Sequence, residues 1–215
     1  KLKGIERADS VIIDGHKQLY LPVGVGISIF KDPGAARAIE KQARYIIRPT
    51  SVDLGRRTIE GSRLNSALYL HAGLNLIGAG GYEYLIEQGI RKAGYLAERL
   101  KSMPDFELLL EPELNIVAYR YIPEYLRERA VMRKLTVEDN QIISRWNTAL
   151  QKKQRLCGRT FVSRTSLTAT CNGAQIPIVA LRAVLSNPLT TGTDIDAVLE
   201  DQLHIAASLS SSIQA

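Results

Sequence analysis

The residues best placed to do chemistry lie near the start of the chain. Ser10 to Asp14 reads SVIID, and Gly15, His16 and Lys17 follow at once. A second apolar stretch dotted with glycines, LYLPVGVG, runs from Leu19 to Gly26. Strand ends and the loops beyond them are where α/β proteins place reactive groups. A lysine used for covalent catalysis must be held at a fixed point, with its amine partly desolvated so that it is neutral when it attacks a carbonyl. Val11, Ile12, Ile13, Leu19, Leu21 and Val23 flank Lys17 and suit that task. The same pattern also fits a lysine whose stem packs on a sheet while its ammonium reaches water.

Other groups carry less. Gly78-Ala79-Gly80-Gly81 lacks the Lys-Ser/Thr of a P-loop, and Glu83 interrupts G-x-G-x-x-G. It also follows a helical pattern rather than a strand, so it reads as a helix–helix junction. His16, His71 and His204 have no ligand spacing, and no metal site is expected. Cys157 and Cys171 form neither a metal spacing nor a disulfide framework, which fits a reducing, cytoplasmic setting. Glu111 and Glu113 flank Pro112 in what reads as a solvated turn. The basic stretch Lys152 to Arg164 lacks stacking aromatics and any recognition motif. It reads as a solvated helix end and a strand, not as a nucleic-acid surface.

The elements that must position Lys17 follow from periodicity. Strands are expected at 10–14 and 24–32, then a helix from Asp32-Pro33 to about Ala43. Tyr45 to Arg57 has no period and reads as a long exposed loop. Ser62 is a plausible N-cap for a helix through Leu76, and a long amphipathic helix covers 82–100. Four strands are expected at 106–110, 115–122, 160–170 and 177–186, with a helix at 139–156 between the second and third. A last helix starts at Thr193, capped as Thr-x-x-Asp, and runs to about Leu209. The order implies the end of an α/β sheet over 1–75, then a small α+β domain over 76–215. Two strands alone make a poor core. The chain is therefore expected to be the C-terminal part of something larger.

Composition agrees with a folded chain. Apolar residues make up 45% of the 215 and charged ones 23%, enough for a real core. No apolar run approaches the ~18 residues of a membrane helix, and the N-terminus lacks the apolar segment of a secretory signal. The net charge of +6 suits anionic partners, phosphate cofactors and acidic metabolites among them.

The stretch GIERADSVIIDGHK, Gly4 to Lys17, resembles the lysine segment of the group II pyridoxal-phosphate-dependent amino-acid decarboxylases. The family pattern is a small or hydroxyl residue, a short strand, Asn or Asp, one residue, then His-Lys. Three further stretches resemble the family in the same order: Ala43-Arg44-Tyr45 followed by a polar loop and Glu60-Gly61-Ser62-Arg63; Glu111-Pro112-Glu113 before NIVAYRYIP; and Leu181 to Pro188. Within the family, GHKQLYLPVG and Tyr45-Ile-Ile-Arg are most similar to the bacterial aspartate 1-decarboxylases, with glutamate decarboxylase next.

The resemblance implies a fold of type I, aspartate-aminotransferase-like: the C-terminal part of the large cofactor domain, then the small α+β domain. It implies that Lys17 attaches pyridoxal 5'-phosphate covalently, with His16 and Asp14 near the cofactor phosphate or positioning the turn. Asn is the commoner residue at position 14 in the animal enzymes, and a carboxylate repels phosphate unless a donor intervenes. Tyr45, on the family's mobile loop, would supply the proton after carbon dioxide leaves. Arg182 would bind a substrate carboxylate, and Ser62 would approach the site of the neighbouring subunit of a homodimer. The implied substrate is an acidic L-amino acid: aspartate, giving β-alanine, or glutamate, giving 4-aminobutyrate. Alternatives are a decarboxylase of 2,4-diaminobutyrate or an aromatic amino acid, or a non-catalytic remnant that binds anions or partners. No nucleic-acid or membrane partner is implied. The family's remaining cofactor contacts lie upstream of Lys17 and would fall before residue 1.

Overall fold

Residues 2–41, 54–57, 64–157, 159–171 and 173–213 are described by the computed structural model. They form two compact units, Lys1–Glu83 and Tyr84–Ala215.

In the first unit, the β-branched runs SVIID and GISIF pair as an antiparallel ladder. Strand β1 (Ser10–Asp14) runs against β2 (Gly26–Phe30), in register from Ser10 opposite Phe30 to Asp14 opposite Gly26. Lys17 therefore lies on the excursion between two paired strands. Helix α1 (Ser66–Leu76) follows, then a turn at Ile77, then α2 (Gly78–Lys101). Gly78 has φ +70°, a left-handed conformation costly for a side chain with a Cβ. The expected helix–helix junction thus lies at Ile77 and Gly78. Among the described residues, no helix is long and apolar enough to cross a membrane.

Two sequence expectations fail in this unit. The helix expected from Asp32 to about Ala43 is a short 3-10 segment, Ala35–Ile39. The Asp32 side chain accepts from the Gly34 amide at 2.7 Å, which starts a tight turn. Beyond it the Lys41 amide donates to the Arg56 carbonyl at 2.7 Å, and Glu40 pairs with Arg56, so the chain turns extended. Helix α1 begins at Ser66, after Asn65, rather than after Ser62.

In the second unit, β3 (Phe106–Leu108), β4 (Ile116–Tyr121), β5 (Ser163–Cys171) and β6 (Ala174–Val184) form one antiparallel sheet in the order β3-β4-β6-β5. Two residues join β5 to β6, with Gly173 at φ +81°. Helix α3 (Arg127–Val131) and α4 (Val137–Cys157) lie between β4 and β5, and α5 (Gly192–Ile213) closes the chain. Alternation sends Val117, Tyr119, Leu181 and Ala183 to one sheet face. There they bury against Leu96 and Leu100 of α2, Trp146 and Leu150 of α4, and Leu199 of α5. Gly89 lets α2 approach the sheet: a Cβ there would lie 2.7 Å from the Leu185 carbonyl oxygen.

Helix α5 is capped two residues earlier than expected. The Asp194 amide donates to Thr191 Oγ1 at 3.3 Å, and the Thr191 amide donates to Asp194 Oδ2 at 2.8 Å. The bond from the Thr191 amide, then that from its hydroxyl, holds the Asp194 carboxyl below the usual carboxylate range.

Asn147 of α4 is fully buried and closes the backbone of β4. Its Oδ1 accepts from the Tyr121 amide at 2.8 Å, and its Nδ2 donates to the Tyr121 carbonyl at 2.9 Å. Asn147→Leu, with the same number of side-chain heavy atoms, leaves both backbone groups buried without partners, each costing about 1–3 kcal/mol. A urea titration followed by the fluorescence of Trp146, the one tryptophan in the sequence, should show a clear fall in midpoint at unchanged slope.

Candidate functional site

The turn that carries Lys17 is held by its own backbone. The Gly15 amide donates to the Val25 carbonyl at 2.9 Å, extending the β1–β2 pairing one step past Asp14. The Leu21 amide donates to the Gly15 carbonyl at 3.0 Å. The Lys17 amide donates to Asp14 and the Tyr20 amide to Lys17, both at 3.1 Å. Gly15 is buried, and a Cβ there would meet Leu21 Cδ1 and Val25 Cγ1 at 3.0 Å and the Val25 carbonyl oxygen at 3.1 Å. Only a residue without a side chain leaves the loop this close to the ladder.

Three of the expected site residues come together here. Lys17 Nζ lies 2.5 Å from Asp14 Oδ2, and His16, between them in sequence, is exposed. The hydrogen bond from Lys17, and then its charge, hold the Asp14 carboxyl below its ordinary value, with a smaller contribution from His16. The desolvated amine expected from the sequence is not present among the described residues: the Lys17 side chain is 67% exposed. Among the described residues this sheet has two strands, and the neighbouring Ile12 is itself 76% exposed.

Residues not singled out by sequence hold the rest of the loop. Tyr82 Oη donates to the Leu19 carbonyl at 3.0 Å. Gly73 of α1 packs against Tyr82 and Leu21: a Cβ there would lie 2.8 Å from Leu21 Cδ2 and from Tyr82 Oη. Tyr20 adopts φ +55°, unusual for a residue with a Cβ, and partial burial raises its phenol above the usual range. A tyrosine inside LYLPVG carries no sequence mark of that conformation, and Tyr82 falls in a helix far along the chain.

Arg182 belongs to the second unit. It sits on β6, paired with Ala118 on one side and Ser163 on the other, and Ser163 Oγ donates to its carbonyl at 2.8 Å. By alternation it shares the sheet face opposite to Leu181 and Ala183. The side chain is half-buried, and no hydrogen bond or ion pair joins it to another described residue. Tyr45 and Ser62 lie outside the described residues. The second unit also has a cavity of about 680 Å³ lined by Asp105, Tyr121, Arg127 and Trp146 among others. Arg127 there is held by Asp105 at 2.5 Å, and none of the residues expected in the site lines it. No cluster of metal-binding side chains exists among the described residues.

The pyridoxal-dependent decarboxylase conserved domain matches residues 1–122. The chain is similar to the aspartate 1-decarboxylase of Aliivibrio fischeri, 44% identical over 96% of this chain and 38% of that protein. It is 26% identical to the cysteine sulfinic acid decarboxylase of Rattus norvegicus over 97% of this chain and 41% of that one. The crystal structure of mouse CSAD in apo form superposes with a TM-score of 0.80 at 25% identity, covering 95% of this chain and 41% of that one. The chain thus spans about two fifths of the length of these relatives.

The role of Gly15 is directly measurable. Gly15→Ala pushes Leu21 and Val25 apart from the turn, at a cost of about 1–3 kcal/mol. The Gly15–Val25 and Leu21–Gly15 bonds should open more often, so the Leu21 amide should exchange with solvent roughly 5- to 100-fold faster. Amides of the second-unit core, such as Tyr119, should be unchanged.

Proposed function

The chain belongs to the pyridoxal-dependent decarboxylase family, and from that premise we propose that it is the C-terminal portion of an enzyme removing the α-carboxylate of an acidic L-amino acid. Aspartate is the first candidate substrate and glutamate the second. The observation that carries this reading is a primary amine, Lys17 Nζ, displayed on a turn fixed by four backbone hydrogen bonds. Such an amine fits a cofactor that is held through an aldehyde: it is accessible, and its backbone does not have to move. The similar proteins named for aspartate and for cysteine sulfinic acid act on acidic amino acids, and the identity to the first is much higher, 44% against 26%.

Pyridoxal 5'-phosphate, when bound, takes up the electron pair released as the carboxylate departs as carbon dioxide. The rest of the work falls to side chains. Lys17 holds the cofactor and yields it to the substrate amine. Arg182 is assigned to bind a substrate carboxylate: the residue is half-buried, has no carboxylate partner among the described residues, and offers a planar fork that matches two oxygens. Tyr45 is assigned the proton donor to the carbon that loses its carboxylate, a phenol being a donor of suitable reach. His16 lines the approach to Lys17. Ser62 is assigned to the substrate side of a homodimer's shared site.

Two measurements on the full-length protein test the assignment. Borohydride reduction after incubation with pyridoxal 5'-phosphate should label the Lys17 peptide, and Lys17→Ala should lose both the label and carbon dioxide release from aspartate. An unlabelled, colourless parent protein would sink the reading and leave anion binding in its place. Arg182→Lys keeps the charge and loses the fork. It should lower kcat/KM for aspartate by about 10- to 100-fold, with the thermal midpoint unchanged. Normal turnover would make Arg182 a packing residue.

A further inference from the structure

We propose that Asp14 is the counter-ion of the free Lys17 amine, not a contact to the cofactor phosphate, and that it competes with covalent loading of the lysine. The inference rests on the reading that Lys17 carries the cofactor. Its basis is geometric. The Lys17 amide bonds the Asp14 carbonyl at 3.1 Å, and that turn brings the two side chains to one side, Nζ to Oδ2 at 2.5 Å. Asp14 is the last residue of β1, paired in the ladder with Gly26, so its backbone is fixed within reach of Lys17.

A phosphate contact is the weaker assignment. A carboxylate and a phosphate repel at close range unless a cation stands between them. The charged groups acting on Asp14 are Lys17 first and His16 last, and Lys17 is the residue that attachment would take away. An ammonium held by a carboxylate does not attack a carbonyl, whereas the neutral amine does. Attachment forms a carbon–nitrogen double bond between Nζ and the aldehyde carbon. The aldehyde oxygen leaves as water with two amine hydrogens, and the extra proton of the ammonium form passes to solvent. Each lysine that loads must therefore first leave Asp14.

The test uses the full-length protein, its Asp14→Asn variant, and Asp14→Ser as a second variant should Asn disturb the turn. Each is incubated with sub-saturating pyridoxal 5'-phosphate or with pyridoxal, which has no phosphate. Reduction with borohydride is followed by mass spectrometry of the Lys17 peptide. For an exposed ion pair, the variants should trap about two- to five-fold more of both probes than the parent. Trapping of pyridoxal by the parent should rise as salt is raised from about 0.05 to about 0.5 M, while the variants stay flat, because salt screens the pair. A gain with pyridoxal 5'-phosphate alone means that Asp14 acts on the phosphate and overturns the proposal. Equal trapping by parent and variants overturns it as well, while leaving Lys17 as the attachment site. A parent that traps neither probe removes both this inference and the reading beneath it.

Discussion

The hydrogen bond from the Gly15 amide to the Val25 carbonyl is the constraint on which the lysine turn depends. It carries the antiparallel pairing one residue beyond the last ladder pair, Asp14 with Gly26, and so fixes where the loop leaves the sheet. Because Leu21 and Val25 crowd position 15, a Cβ there would push on both and loosen the loop's closure. From there the Leu21 amide returns to the Gly15 carbonyl, and Tyr20 turns the chain through φ +55°. The main chain of Lys17 is therefore set by bonds that do not involve its side chain. A reactive group can be given up to a ligand without loosening the fold that presents it.

The second unit solves a different problem, that of placing cations in a packed sheet. Burying a guanidinium is unfavourable unless it is paired. Arg120, nearly buried on β4, meets Glu107 at 2.6 Å and Asn140 at 2.6 Å. Arg127 meets Asp105 at 2.5 Å. Arg182 sits half-buried on the central strand β6 with no such partner among the described residues. The strand fixes its backbone on both sides through Ala118 and Ser163, and the helical core packs against the other face. Arg182 thus differs from Arg120 and Arg127 in having no partner of that kind among the described residues.

What was legible in the sequence follows the same physics. The four strands of the second unit and the long helices α2 and α4 came through because period 2 and period 3.6 survive in any well-buried element. The cap of α5 shows where pattern runs out. Thr191-x-x-Asp194 and Thr193-x-x-Asp196 are both capping boxes on paper. The tie is broken from α2: Tyr95 Oη and Arg99 Nε each reach Asp196 at 2.7 Å, which leaves Asp194 to the helix terminus. The extended chain at Glu40 has a similar origin, since Arg56 claims that segment. The exposure of Lys17 was also invisible, because apolar neighbours in sequence need not be apolar neighbours in space, and among the described residues the sheet beside it has two strands.

The pairing of Lys17 with Asp14 takes its meaning from that exposure. Side chains that are 67% and 42% exposed, three residues apart on one turn, form a contact that water and salt weaken easily. The contact therefore adds little to the stability of the turn, which the backbone bonds and Gly15 already secure. Arg127 with Asp105, whose side chains are 26% and 22% exposed, is shielded better and ties β3's approach to the segment after β4. The difference separates a shielded ion pair that helps hold a fold from an exposed one that water can part. A buried pair could not release its lysine without leaving a charge stranded in the interior; an exposed one can, and the carboxylate left behind is simply hydrated.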